Sequence, residues 1–303
     1  MHRKPNLCGC RSRVEAEPTD LINRDSARKH LDKPVIAVLM TCFNRRDLTV
    51  RAIDRLPSAV SGMARYSVFL VDDNSSDGTA EAVAAQFPDA TIIRGSGNLY
   101  WNRGTRLAWQ TAIPTKPDFY LWLNDDTHLR PGSIAQLLEL YAANDARTIV
   151  VGHCIDPRTG STTYGGFVRR AGVSRLRFRH LEAGEDLCDT MNGNCVLFPA
   201  SVVGDVGLSS SRFTHAFGDN DYGLRARMAG YKIIQTKTPV AVQEGNDEYK
   251  AEKDKLTIRN WRFIFLSPKG IPFLEWLYFC RTHGGAIWML NFLWRYMKIM
   301  KIL

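Results

Sequence analysis

Several absences narrow what this chain can be. Its seven cysteines (Cys8, Cys10, Cys42, Cys154, Cys188, Cys195 and Cys280) are odd in number and scattered. No Cys-x-x-Cys pair occurs, and Cys8-Gly9-Cys10 has no matching second half. The pattern offers neither a zinc site nor a disulfide framework, and it fits a reducing compartment. His128, His153 and His215 lack ligand spacing. No apolar run reaches the roughly 20 residues that span a bilayer, because Glu275, Arg281 and His283 break up the most apolar stretch. The N-terminus is polar and basic, without the apolar core of a secretory signal. No internal repeat and no nucleic-acid-binding motif is visible, which argues against DNA or RNA as partner.

What is present is an ordinary globular composition, 45% hydrophobic and 23% charged, over 303 residues. The net charge of +9 is concentrated at one end. Residues 250–303 hold ten Lys or Arg against Glu252, Asp254 and Glu275, a local excess of +7. Residues 1–33 are rich in charge, lack apolar periodicity and read as a flexible arm. From Pro34 apolar runs alternate with helical spacing. Strands are expected at 35–41, 67–72, 91–93 and 119–123, and helices at 46–56, 77–87, 102–113 and 131–143. Asp77 or Ser76 is expected to cap the second helix, and Pro131 to lie in the first turn of the fourth. That order predicts a doubly wound, mostly parallel α/β sheet covered on both faces. Later come shorter strands at 148–154, 161–168 and 195–198, a helix at 219–229 and a last strand at 231–234.

Residues 247–303 read as a basic, amphipathic helical tail. Asn291, Arg295, Lys298 and Lys301 fall on one helical stripe, set in a broad apolar face with Trp288, Phe292, Trp294 and Tyr296. A narrow cationic stripe beside aromatic residues suits a helix lying in a membrane interface, and packing on the main domain or a partner is the alternative. The expected location is cytoplasmic, peripheral to the inner membrane surface.

Two apolar strands run directly into aspartate pairs. Val68-Phe69-Leu70-Val71 ends in Asp72-Asp73, and Phe119-Tyr120-Leu121-Trp122-Leu123 ends in Asn124-Asp125-Asp126. A desolvated carboxylate costs several kcal/mol unless it is paired or metal-bound. Parallel α/β sheets bind ligands at the carboxyl ends of their strands. Two acidic pairs at that edge therefore point to a site for a cation and a sugar- or nucleotide-bearing ligand.

Four ordered motifs carry a more specific likeness: Thr41-Cys42-Phe43-Asn44-Arg45, Val71 through Thr79, Asn124-Asp125-Asp126, and Phe217-Gly218-Asp219-Asn220-Asp221-Tyr222-Gly223-Leu224-Arg225. From about Pro34 to Asn246 the chain resembles the inverting family-2 glycosyltransferases of the GT-A fold. The resemblance implies transfer from a nucleotide-sugar donor to a glycan or lipid-linked acceptor, assisted by Mg²⁺ or Mn²⁺. It implies Asp126 as metal ligand and Asp125 as the neighbouring acid that contacts sugar or ribose. Asp73 would bind the nucleobase, with Thr41, Phe43 and Asn44 lining the same pocket. Arg103 and Arg106 are placed either against the diphosphate or on solvated surface. Asp219 matches the general base, Asn192 and Gly193 the acceptor-side turn, and Asp221 would orient Arg225 or the helix start on that side.

The chain departs from the family at three positions: Asn124 and Gly218 stand where acids are common, and Gln243-Glu244-Gly245-Asn246 replaces a frequent histidine. The stretches Gly97 through Gly104 and Thr190 through Cys195 are similar to rhamnosyltransferase-like members, implying a deoxysugar donor. The arginines at 169, 170, 175, 177 and 179 read either as a solvated loop or as a site for a phosphate-bearing acceptor. Two rival readings are a sugar nucleotidyltransferase, which needs a glycine-rich basic loop after its first strand, and a non-catalytic membrane-binding protein.

Overall fold

Both faces of the central sheet are apolar, which is why its strands read as continuous hydrophobic runs rather than alternating ones. The computed structural model describes residues 33–245, 256–257 and 259–300. The expected N-terminal arm, apart from Lys33, and the stripe residue Lys301 lie outside the described residues. The described residues from Pro34 onward form one compact unit.

The strands, in chain order, are β1 (Val35–Cys42), β2 (Arg65–Asp72), β3 (Thr91–Arg94), β4 (Phe119–Leu123), β5 (His128–Leu129), β6 (Thr148–Val151), β7 (Cys154–Ile155), β8 (Thr162–Tyr164), β9 (Gly166–Arg169), β10 (Phe178–His180), β11 (Thr190–Met191), β12 (Cys195–Pro199), β13 (Lys232–Gln235) and β14 (Ala241–Val242). The helices are α1 (Arg46–Asp54), α2 (Leu56–Val60), α3 (Thr79–Gln86), α4 (Tyr100–Ala112), α5 (Ser133–Ala142), α6 (Val202–Val206), α7 (Gly218–Met228), α8 (Trp261–Leu266), α9 (Phe273–His283) and α10 (Trp288–Ile299).

The main sheet has the order β13-β6-β12-β4-β1-β2-β3. All its pairings are parallel except those of β12, which runs antiparallel to both β4 and β6. This is the expected doubly wound architecture with one reversed strand. Along β1, Ile36, Val38 and Met40 enter one apolar layer, and Ala37 and Leu39 the other. The second layer centres on Trp109, fully buried among the rings of Tyr120, Trp122, Phe198 and Tyr222 at 5.3–5.4 Å between centroids.

Two helix starts differ from expectation. A left-handed glycine precedes each: Gly78 (φ 78°) before α3 and Gly132 (φ 73°) before α5. Asp77 and Pro131 therefore sit in the preceding turn, and Asp77 still caps by accepting the Thr79 N–H. The single helix expected at 46–56 breaks near Arg55, and Pro57 starts the next one.

Register aligns the functional edge. Cys42 pairs with Asp72, and Asp72 with Arg94, so β1, β2 and β3 end level with one another. Leu123, at the end of β4, pairs with Cys195, the first residue of the reversed β12. Segments 43–45, 73–76, 95–101, 124–126 and 192–194 consequently share one edge.

The C-terminal helices form a third apolar cluster. Ile264, Ile271, Trp276, Phe279, Cys280, Phe292, Tyr296 and Ile299 pack with Phe213 and Leu224, and Leu176, Phe178 and Phe217 lie against them. Asn291 accepts a hydrogen bond from Ser174 Oγ at 2.6 Å, so part of the expected stripe faces the β9–β10 hairpin. Packing divides the apolar surface of α10. Phe292, Tyr296 and Ile299 point inward, while Met289, Leu290, Leu293 and Trp294 stay exposed. No helix among the described residues is long and apolar enough to cross a membrane.

The Trp109 cluster sets a stability test. Its indole N–H has no hydrogen-bond partner, so its contribution is packing alone. Trp109→Ala should cost about 3–5 kcal/mol in urea unfolding. Trp109→Phe should cost substantially less, because it keeps an aromatic ring and removes an unsatisfied donor.

Candidate active site

The acidic pair after β4 is held by a cation from the end of β1. Asn44 takes a left-handed turn (φ 51°), its N–H donates to Ser75 Oγ at 2.9 Å, and its Oδ1 accepts the Ser76 N–H at 2.8 Å. This turn projects Arg45, whose Nη1 lies 3.1 Å from Asp125 Oδ1 and 2.8 Å from Asp126 Oδ2. Asp125 is buried, and desolvation pushes its carboxyl up to about 7 although Arg45 opposes the shift. The other oxygen of Asp126 accepts from Gln243 Nε2 at 2.6 Å. Gln243 is itself buried, its Oε1 accepting from Thr127 Oγ1 at 2.5 Å and Asn194 Nδ2 at 2.8 Å. Gln243, one of the four residues that stand where the resemblance implies a histidine, thus faces the same carboxylate as Arg45.

Among the described residues no group of three or more His, Cys, Asp or Glu is arranged to hold a metal ion. The donor set therefore does not fit a cation held by protein alone. It does fit a hard cation with Asp126 as protein ligand, completed by water and a diphosphate.

Asp73 is buried and serves the neighbouring loop. Its Oδ1 accepts from the Gly97 N–H at 2.7 Å, and its Oδ2 from Leu99 and Tyr100 at 2.8 and 3.1 Å. It shapes the edge of the expected nucleobase pocket through backbone. Thr41 packs against Gly104 of α4, where any Cβ would collide with its hydroxyl. Phe43 is 52% exposed, an aromatic face open to a planar ligand. Arg103 is exposed, and Arg106 donates to the Ser209 carbonyl, which gives that arginine a structural task.

The start of α7 brings Asp219 to the same edge. Asp219 Oδ1 accepts from the Asn220 N–H at 2.8 Å, and Oδ2 from the Gly193 N–H at 3.2 Å, with Asn192 Nδ2 at 3.5 Å. Burial raises its carboxyl above the usual range, and these donors oppose the shift only in part. Gly193 is compelled by packing, since a Cβ there would strike the Trp101 ring. Trp101 donates to Asn124 Oδ1 at 2.7 Å. A continuous run of contacts thus links Asp73, through the 97–101 loop, to the acidic pair on one side and Asp219 on the other.

Asp221 takes no part in this run of contacts. It is fully buried, with Arg225 Nε and His283 Nε2 each 2.8 Å from its carboxylate. It orients Arg225, as expected, and also binds α9. Phe217 holds a left-handed backbone (φ 67°) that is uncommon for an aromatic residue. Its ring lies on Trp276 and Phe279 of α9, at centroid distances of 5.2 and 5.3 Å.

Sequence reasoning missed Gln243 as a partner of Asp126, Arg45 as the bridge, and Trp101, Asn102, Trp276 and His283 as supports. Asn102 donates to the carbonyls of Ser210 and Phe213, and its side chain leaves no room for a Cβ at Gly218. Arg45, Trp101, Asn102 and Gln243 had a local signal, their place in stretches that carry or break the family likeness, whereas Trp276 and His283 had none.

Gly193→Ala is expected to displace Trp101 and weaken the Gly193–Asp219 bond. Indole fluorescence should change, overpacking by about 1–3 kcal/mol should lower the thermal midpoint, and turnover of the folded enzyme should fall by at least about tenfold.

Residues 34–262 match the family model described as "Glycosyltransferase like family 2". An N-acetylglucosaminyl-diphospho-decaprenol L-rhamnosyltransferase of Mycobacterium tuberculosis is 26% identical over 194 residues, 55% of this chain and 63% of that enzyme. The match thus spans less than two thirds of that relative's length. Among solved structures, the mannosyltransferase PcManGT from Pyrobaculum calidifontis, in complex with GDP-Man and Mn²⁺, is similar with a TM-score of 0.55 at 16% identity, covering 91% of this chain and 79% of that one. GalNAc-T7 with UDP, GalNAc and Mn²⁺ gives 0.53 at 13% identity, over 69% and 42% of the two chains. The shared fold and the extent of the family match lead to one conclusion: this chain belongs to glycosyltransferase-like family 2, and its fold is that of the GT-A glycosyltransferases.

Proposed function

We propose that this enzyme moves a sugar, with inversion, from a nucleotide-sugar donor to a hydroxyl of a glycan or lipid-linked acceptor. The observation that carries this reading is the placement of two separate acidic centres at one sheet edge, bridged by Trp101 and Asn124. The Asp125–Asp126 centre suits the leaving group, and Asp219 suits the attacking one.

In this reading Asp126 is the protein ligand for Mg²⁺ or Mn²⁺, and the cation supplies charge neutralisation for the departing diphosphate. Asp125 contacts the sugar or ribose. Asp219 accepts the proton of the acceptor hydroxyl as its oxygen bonds to the anomeric carbon and the carbon–phosphate oxygen bond breaks. The N–H groups of Gly193 and Asn220 hold the carboxylate in position. Because burial holds Asp219 high, its basic form is lost on acidification sooner than that of a free aspartate. The mannosyltransferase structure holds GDP-Man with Mn²⁺ and the GalNAc-T7 structure UDP and GalNAc with Mn²⁺, which supports the metal. The mycobacterial relative's name supports a deoxyhexose donor and a lipid-diphosphate acceptor.

Thermal shift against a panel of nucleoside diphosphates, with and without Mn²⁺, tests the donor site. A Mn²⁺-dependent rise with one base is expected, and no rise with any of them overturns the reading. Asp219→Asn and Asp126→Ala should each lower turnover by at least about a hundredfold. For wild type, turnover should fall on acidification at a pH above the ordinary aspartate value of about 3.9.

The exposed face of α10, with Lys298 on the same helix and Phe273 and Leu274 on α9, is proposed to rest on an anionic membrane surface. Truncating the helices is a poor test, since α9 supports Phe217 and Asp221. Leu290→Glu with Trp294→Glu should abolish co-sedimentation with anionic lipid vesicles while sparing nucleotide binding, and unchanged co-sedimentation would rule the membrane out.

A further inference from the structure

We propose that Arg45 is a resident counter-cation that competes with a divalent cation for Asp126, so that the cation is retained only together with a diphosphate. This rests on the donor-site reading above and specifies how that site is loaded.

One nitrogen, Arg45 Nη1, touches both Asp125 and Asp126, at 3.1 and 2.8 Å. It therefore occupies the position between two carboxylates that a cation would take. The remaining oxygen of Asp126 is bound by Gln243 Nε2 at 2.6 Å. That amide cannot turn round without losing the two donors on its Oε1, Thr127 and Asn194. Its nitrogen brings a proton and no lone pair, so Gln243 supports Asp126 without adding a ligand. Each oxygen of Asp126 already accepts one hydrogen bond, and Arg45 fills the position it shares with Asp125, so a divalent cation set between the two carboxylates takes the place of Arg45.

The charges favour exchange over simple addition. With both carboxylates ionised, the pair and one guanidinium leave a single negative charge. A divalent cation entering alone would stand beside the guanidinium and repel it. A diphosphate changes the balance, since it offers oxygen ligands to the cation and a bidentate partner to the freed arginine.

Arg45 is also built to move without disturbing the loop. Its carbonyl accepts from both the N–H and the hydroxyl of Thr49 at 2.9 Å, and Asn44 is fixed by Ser75 and Ser76. Its side chain is 38% exposed, at the open side of the pair. The backbone is anchored while the guanidinium can swing.

The test is Mn²⁺ binding by the full chain, followed through the electron paramagnetic resonance signal of free Mn²⁺ and through the thermal midpoint. Wild type should bind Mn²⁺ alone weakly. Arg45→Met should bind it at least about tenfold more tightly and gain thermal stability from it. Asp126→Ala in the Arg45→Met background should cancel the gain. Arg45→Lys keeps a charge to hold the pair folded but has one compact ammonium, and should show a smaller gain in the same direction. Equal Mn²⁺ affinity in wild type, Arg45→Met and Arg45→Lys overturns the proposal. If Mn²⁺ with nucleoside diphosphate fails to stabilise wild type, the donor-site reading falls. If it stabilises wild type but the Arg45 variants bind Mn²⁺ no better, only the role of Arg45 falls.

Discussion

Two adjacent carboxylates at the end of a buried strand cannot stand without compensation, and much of the site follows from that constraint. Asp125 is almost closed off from solvent, and its charge opposes that of Asp126. Arg45 bridges the two, and Gln243 takes the last oxygen. Each partner is in turn positioned, Arg45 at its backbone by the left-handed turn at Asn44 and Gln243 at its amide by Thr127 and Asn194. The end of β1, the end of β4, the start of β12 and the segment after β14 are thereby tied into one electrostatic unit. Removing one member would leave a buried charge or a buried amide unpaired, a larger loss than the bond itself.

The second acidic centre is supported differently, by apolar packing from the C-terminal helices. Phe217 keeps an unusual backbone because its ring is covered by Trp276 and Phe279. Asp221 is secured by His283 from the same helix. Between these two fixed points lies Asp219, at the first turn of α7. Helices that read as an appendage by composition therefore act as a buttress for the proposed base. The same helices leave Leu290, Leu293 and Trp294 facing outward. The packed pair α9 and α10 thus connects the proposed base with the proposed membrane surface.

Much of the strand and helix pattern was legible because it is local. Apolar runs such as Val35–Cys42 and Phe119–Leu123 state their burial directly, and the motif aspartates follow them at the expected edge. The starts of α3 and α5 were less legible, because left-handed glycines set them, and Asp77 and Pro131 are equally at home in a turn. The division of α10 into inward and outward apolar faces was hidden, since periodicity does not say which apolar side finds a partner. Arg45, Gln243 and His283 acquire their roles from residues 80, 117 and 62 positions away.

By itself the sequence determined the fold class, the family and the identity of the acidic residues, because each is written in short-range pattern and spacing. Only tertiary structure decided what each carboxylate faces. Asp73 holds a loop, Asp221 a helix, Asp125 and Asp126 an arginine, and Asp219 the Gly193 turn. The physical reason is that a buried charge takes its role from the partners that compensate it, and those partners meet only after the sheet edge has assembled.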